Sequence, residues 1–243
     1  MENIFSVADK VVVITGGSGF LGRQYSDALE KAGAKVINWD IETGVDVSEA
    51  GSVANAAKGL KRIDILINNA AFNPQVEKKN KAQDNWSSYE KFPLATWRRE
   101  LEINLTGQQI VVQAVAPRMM KQRKGSIIFI ASDLALIGPQ NSIYEPGRFK
   151  DIAYITSKAG ALGLMRSWAA FLGSYGVRAN ALVPGGMYRN QPDKFVKKNS
   201  SLNMLRRMAR AGEYNGPIMF LASEASSYMT GACLVVDGGR TAW

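Results

Sequence analysis

Two rhythms of apolar and polar positions alternate along the chain. Short, unbroken apolar runs rich in β-branched residues stand between longer stretches in which apolar residues recur three and four apart. KVVVIT, residues 10–15, stops at glycines and reads as a strand buried on both faces. Residues 21–32 carry helical spacing that ends at Gly33, and AKVINWD, residues 34–40, follows as a second strand. The same reading predicts helices over 48–59, 94–120, 152–174 and 214–222, and strands over 63–68, 125–131, 177–183 and 232–236. Strand and helix in alternation predict an α/β fold, a doubly wound parallel sheet covered by helices on both faces. One connection is too short for this pattern. Only IETGV separates Asp40 from Asp46, whereas a parallel crossover needs roughly a dozen residues. The edge strand near Val45 is therefore expected to be vestigial and the helix before it absent.

The first strand runs into TGGSGFLG, whose glycines fit two registers, Gly17-x-Gly19-x-x-Gly22 and Thr15-Gly16-x-x-Gly19-x-x-Gly22. In either, glycines let a backbone approach a pyrophosphate at a helix N-terminus, where unpaired N–H groups and a partial positive charge attract anions. The turn follows a strand, opens a helix and precedes an acid 18 positions beyond Gly22, the setting of a Rossmann-type dinucleotide site. Asp40 at that strand end is placed to accept hydrogen bonds from ribose hydroxyls and to repel a 2′-phosphate, which predicts NAD rather than NADP. The alternative is an acid that caps a turn, and Arg23 is the residue that could soften the preference.

Composition narrows the chemistry. With 243 residues, 46% of them hydrophobic, the chain can bury a sizeable core as one domain over residues 1–243. No basic segment precedes an apolar run, and no apolar stretch approaches the roughly 18 residues of a membrane span. A soluble, cytoplasmic protein without membrane contact is expected. The single cysteine, Cys233, gives no disulfide framework, and the absence of histidine excludes histidine-based triads and zinc sites, so no metal is expected. The net charge of +9 favours anionic partners. Its Lys and Arg residues are dispersed without interleaved aromatics, which argues against nucleic acid and for a phosphorylated or nucleotide-bearing small molecule.

Acid–base work then falls to Tyr, Lys, Asp or Glu. DIAYITSKAG sets Tyr154 and Lys158 four apart on a predicted helix, one turn apart on one face. An ammonium beside a phenol stabilises the phenolate, which makes tyrosine a usable acid–base group. With this pair in place the whole chain resembles the compact, single-domain short-chain dehydrogenase/reductase family. TGGSGFLG matches the family's glycine turn, Asp46-Val47 its acidic pair near the adenine, and NNAA at 68–71 its segment bordering the cofactor. Asn104 in EINLTG corresponds to the helix asparagine, Ser132 in FIASD to the catalytic serine, and Tyr154 with Lys158 to the catalytic pair. Asn180 to Gly185 matches the strand and loop beside the nicotinamide, and Val236-Asp237-Gly238-Gly239 the C-terminal signature. The resemblance implies hydride transfer between a nicotinamide and a carbinol or carbonyl carbon. Tyr154 would exchange the hydroxyl proton, Ser132 would hydrogen-bond the substrate oxygen, Lys158 would bind the nicotinamide ribose and tune Tyr154, and Asn104 would hold a water linking Lys158 to solvent. Gly16, Gly19, Phe20, Leu21, Gly22, Asp40, Asp46, Val47, Asn69, Ala70, Pro184 and Gly185 would complete the cofactor site with Tyr154 and Lys158.

The chain departs from the family pattern in three places. Phe20 stands where compact members carry a glycine, giving the turn the spacing of the extended subfamily, but the chain ends soon after DGG and keeps the compact assignment. Ser132 and Tyr154 are 22 residues apart, farther than is usual, because of an insertion, GPQNSIYEPGRFKD, expected to shape the substrate pocket. Ser142 and Tyr144 within it are rivals for the catalytic pair. The stretch 72–97 is also long and is expected at the active-site mouth. Residues 187–212, the expected lid, hold Arg189, Lys194, Lys197, Lys198, Arg206, Arg207 and Arg210 against one acid, Asp193, which suits an anionic sugar derivative or fits a solvated helical face. The insertion, the lid and SSYMTGACLVVDGG are similar to a branch of short-chain reductases of flagellin-modification and nonulosonic-acid sugar pathways. The competing readings are a reductase of carrier-bound 3-oxoacyl chains and a non-catalytic, cofactor-bound sensor or structural subunit. The resemblance also implies a homotetramer paired through the helices at 94–120 and 152–174, with Ile110, Val111, Ala114, Leu164, Trp168 and Phe171 as candidate contacts.

Overall fold

The computed structural model describes residues 3–73 and 86–243. Six strands form one sheet: β1 (Val11–Thr15), β2 (Lys35–Trp39), β3 (Ile65–Asn68), β4 (Gly125–Ile130), β5 (Val177–Pro184) and β6 (Cys233–Val236). They lie in the order β2-β1-β3-β4-β5-β6, and every pairing is parallel. The helices are α1 (Phe20–Lys31), α2 (Ala50–Lys58), α3 (Leu94–Leu101), α4 (Gly107–Gln122), α5 (Ile152–Leu172), α6 (Asp193–Ser201) and α7 (Asn215–Ala222).

Side chains on a strand alternate between the sheet's faces, so each continuous apolar run fills two cores. Val13, Leu66, Ile127, Phe129 and Ala181 point to one face and pack against α2, α4 and α5. Val12, Ile14, Ile65, Ile67, Ile128 and Leu182 point to the other and pack against α1 and α7. The strands read as continuous apolar runs for this reason, and the chain is doubly wound as expected. Strand order reverses between β1 and β3, which opens a crevice at their carboxyl ends, where doubly wound sheets bind ligands.

Two local features differ from the sequence expectation. Between Asp40 and Asp46 there is a single 3₁₀ turn, Ile41–Thr43, so the missing helix is confirmed. No strand, vestigial or otherwise, lies near Val45. The sheet ends at β2, because Val45 N donates back to Asp40 O at 2.9 Å and leaves too little chain for another pairing. The helix expected over 94–120 is broken by a π turn, Glu102–Thr106, between α3 and α4. Such turns insert a residue into the helical ladder and often mark functional sites. Gly107 follows it because a Cβ there would lie 3.1 Å from the Val47 side chain.

Candidate functional site

The crevice is a cleft of about 1040 Å³ running from the Gly16 turn to the loop after β4. Its first end is built by β1, β3 and α1. Thr15 Oγ1 accepts from the backbone N–H groups of Asn69 and Ala70 at 2.9 and 3.0 Å. Asn69 Nδ2 donates in return to the carbonyls of Thr15 and Gly16, both at 3.0 Å, so the turn is stitched to the end of β3. Gly16 sits at φ +64°, and a Cβ there would lie 2.8 Å from Ala70 Cα, a position only glycine fills without strain. A Cβ at Gly22 would strike the Gly16 carbonyl oxygen. Gly19 caps α1 without any side-chain hydrogen bond, leaving the first-turn N–H groups to face the cleft. An open helix N-terminus beside a backbone cradle fits a pyrophosphate.

Asp40 is buried and already engaged. Its Oδ2 accepts from Ser18 N and its Oδ1 from Glu42 N, both at 3.0 Å, so it caps the 3₁₀ turn while lining the cleft. Each carboxylate oxygen retains a second lone pair, so the cap and a ribose contact are compatible. Asp46 is similarly turned onto Ser48, accepting from its N–H at 2.9 Å and its hydroxyl at 2.6 Å. Arg23 is exposed and reaches Glu42 at 3.9 Å.

The far end gathers the predicted reacting groups. Ser132 follows β4 and caps the short 3₁₀ turn Asp133–Ala135, Tyr154 and Lys158 face inward from α5, and all three line the cleft. Lys158 is buried and donates to Ile130 O at 2.7 Å. Burial lowers its pKa to about 8. The Tyr154 phenol is pushed well above its ordinary value, chiefly by desolvation and then by the Asp133 carboxylate, against a lowering hydrogen bond with Ser132. The Ser132 hydroxyl has a single proton, and Asp133 Oδ1, 2.8 Å from Oγ, competes with Tyr154 for it. Asn104 lies fully buried behind this wall on the π turn and, like Gly22, does not line the cleft. Its Nδ2 donates to Phe72 O at 2.9 Å and to Ser157 Oγ at 3.3 Å, and its Oδ1 accepts from Phe72 N. Phe20, Leu21, Val47, Ala70, Pro184 and Gly185 line the cleft with the others.

Sequence reasoning missed three charged residues here. Asp133 forms a buried ion pair with Arg240, 3.1 Å from Nε to Oδ2, and desolvation outweighs that partner to raise the Asp133 pKa. Arg240 arrives because Gly238 and Gly239, at φ +69° and +83°, turn the chain after β6. Asp237 holds that turn by accepting from Gly239 N and Thr241 N. The DGG motif followed by a basic residue was the available signal. Lys150, at the end of the insertion, is buried with its ammonium 4.5 Å from the centre of the Tyr154 ring. Of the rival residues, Tyr144 lines the cleft, its phenol pushed up to about 12 by burial, and Ser142 does not.

The insertion also meets α6. The Tyr144 ring stacks on Phe195 at 5.8 Å and tilts against Trp86 at 5.0 Å, while Lys194 pairs with Glu145 at 3.1 Å and Lys198 donates to Ser142 O at 2.9 Å. Among the seven basic residues of 187–212 only Arg189 lines the cleft, its guanidinium 4.2 Å from the centre of the Phe20 ring. Residues 74–85 of the long stretch 72–97 lie outside the described residues.

A family model described as Enoyl-(Acyl carrier protein) reductase matches residues 5–241. The chain belongs to the short-chain dehydrogenase/reductase family. This oxidoreductase is 32% identical to an L-rhamnose 1-dehydrogenase (NAD(P)(+)) of Azotobacter vinelandii, over 95% of this chain and 96% of that one. It is 30% identical to a probable galactose dehydrogenase of Rhizobium meliloti, over 95% and 94%. Among solved structures, a short-chain dehydrogenase of Leptospira borgpetersenii with bound NAD+ aligns at TM-score 0.88 and 26% identity, covering 99% of this chain and 96% of that one. The family's dinucleotide is thus NAD or NADP, and no helix among the described residues is long and apolar enough to cross a membrane.

Proposed function

We propose that this short-chain dehydrogenase uses NAD in preference to NADP and acts on a hydroxyl or carbonyl carbon of a sugar-type substrate bearing negative charge. The convergence of Ser132, Tyr154 and Lys158 on one wall of the cleft whose other end is the Gly16 turn carries this reading. Relatives named for rhamnose and galactose support the sugar class. The nicotinamide ring supplies the hydride acceptor or donor. Tyr154 Oη exchanges the substrate's hydroxyl proton. Ser132 Oγ turns from Asp133 to hydrogen-bond the reacting oxygen, and Lys158, charged below its pKa of about 8, favours the phenolate.

The preference for NAD rests on Asp40, whose buried carboxylate lines the cleft and would repel a 2′-phosphate. Of the basic residues in 187–212, Arg189 lines the cleft and is the cation proposed to meet the substrate's negative charge, whereas Lys194, Lys198 and Arg207 are paired within the chain. Residues 187–212 form the proposed lid over the cleft, which Met187, Gln191 and Phe195 line. A homotetramer is proposed through α4 and α5, where Trp168 is half-buried and Phe171 exposed, whereas Val111 belongs to the chain's own core. A solution mass would check the assembly.

The deciding experiment compares wild type and Tyr154→Phe on a panel of keto-sugars and sugar acids with NADH or NAD. Turnover in wild type, lost in the variant with cofactor binding retained, is the expected result. Equal turnover in both would reject the assignment, and a clear NADP preference would reject the role of Asp40.

A further inference from the structure

A second lysine stands over the proposed acid–base tyrosine. Lys150 and Tyr154 flank the N-cap of α5, where Asp151 Oδ1 accepts from Ala153 N at 2.8 Å and Tyr154 N at 3.1 Å. The insertion holds the other side, Lys150 N donating to Asn141 Oδ1 at 3.0 Å. Between these anchors the Lys150 ammonium projects over the Tyr154 ring, 4.5 Å from its centre, with Asn73 Oδ1 3.4 Å from Nζ. Lys158 is farther from the same ring, at 5.7 Å, and spends one donor on Ile130 O.

A phenolate shares its negative charge with the ring carbons, so a cation over the ring face attracts it more strongly than it attracts the neutral phenol. We propose that Lys150 is a positioning residue for Tyr154, its ammonium stabilising the phenolate from the ring face alongside Lys158. The inference rests on Tyr154 as the acid–base group. It gives the insertion a chemical role: the extra residues between Ser132 and Tyr154 deliver a charge.

The surrounding groups set the balance. Tyr154 faces the carboxylates of Asp133 and Glu100 and the phenol of Tyr144, all of which oppose its ionisation, and the Ser132 hydroxyl, which favours it. Lys150 faces Asp151, Glu100 and Asp133, which hold its proton against burial, and its pKa settles at about 8. Arg240 offsets Asp133. Lys150 therefore keeps its charge at neutral pH, where the carboxylates around Tyr154 would otherwise suppress the phenolate.

The test places 3,5-difluorotyrosine at position 154 of the full chain, since its more acidic phenol titrates in an accessible range, and follows the 19F shift against pH without substrate or cofactor. Lys150→Met should raise the apparent pKa by about one unit or more, and Lys150→Arg should restore it to within half that shift. A folded Lys150→Met protein that titrates with the parent overturns the proposal. If Lys150→Met does not fold, Lys150→Gln is read by the same two outcomes. Because the titration needs no turnover, a shift seen in a protein inactive on every sugar would sink the proposed function and uphold the role of Lys150. Turnover without a shift would do the reverse.

Discussion

The side-chain amide of Asn104 and the backbone of Phe72 bond in both directions, Phe72 N donating to Oδ1 at 2.6 Å and Nδ2 donating to Phe72 O at 2.9 Å. The π turn presents a buried amide to the chain leaving β3, and Phe72 lines the cleft. Asn104→Ala would leave both backbone groups unpaired beside a buried cavity. We expect a loss of about 1–3 kcal/mol in denaturant unfolding. An unchanged midpoint would reject the clamp.

Gly22 supports the glycine turn from behind. A Cβ there meets the Gly16 carbonyl oxygen and lies 2.7 Å from Gly17 Cα, so Gly22→Ala must displace the backbone that forms the cradle. NADH affinity should fall at least tenfold, about 1.4 kcal/mol, by fluorescence titration. Gly51→Ala is the control: it lies in α2 with nothing within 4 Å, and should leave affinity unchanged and stability equal or slightly raised.

The Asp133–Arg240 pair predicts an asymmetry between breaking and replacing it. Arg240→Met leaves a buried carboxylate without its cation, which costs about 3–5 kcal/mol. Adding Asp133→Asn removes the orphaned charge and should recover most of that loss. The pH dependence has a definite sign. The folded pKa of Asp133 is raised, so its contribution is fully present below the unfolded pKa and is lost as pH rises through the folded one. In Arg240→Met that pKa climbs further, and the variant should lose stability, relative to wild type, between mildly acidic and neutral pH. A deficit independent of pH would reject the pairing.

The central strands β1, β3 and β4 were legible because they are buried on both faces, which writes nearly unbroken apolar runs into the chain, whereas β2 and β6 lie at the sheet edges and are partly exposed. The glycine turn and the Tyr154–Lys158 pair were legible because their geometry is local: a strand leading into a helix, and a four-residue helical spacing. What escaped depends on distant parts of the chain. EINLTG contains no helix breaker before Gly107, so nothing local announces the π turn that separates α3 from α4. Arg240 enters the cleft through two left-handed glycines, and its partner Asp133 is more than a hundred residues away. Lys150 belongs to an insertion without periodicity, and its position over Tyr154 is set by Asn141 and Asp151. Lys194 and Arg207 looked like part of an anion grip because their partners Glu145 and Glu213 lie outside the segment 187–212.

Glu213 ties the end of that segment to its middle. Both its oxygens accept from Arg207, at 2.6 and 2.7 Å, and Oε2 also accepts from Arg210 N at 2.7 Å. These hydrogen bonds, led by Arg207, lower its pKa from 4.5 to about 2. A depressed folded pKa gives stability that is present above the unfolded value and lost as pH falls through the folded one. The advantage of wild type over Glu213→Gln in thermal unfolding should therefore be full near pH 6 and decline from about pH 4.5 towards pH 2. The pair is partly exposed, so the gap should be small and should shrink in high salt. The neighbouring Gly212 N donates to Gln24 Oε1 of α1 at 2.7 Å, which couples this turn to the helix behind the glycine cradle. Glu213→Gln should accordingly weaken NADH binding slightly at pH 6 and not at the acid end of the window. An equal effect at both pH values would show that the ion pair does not hold the segment.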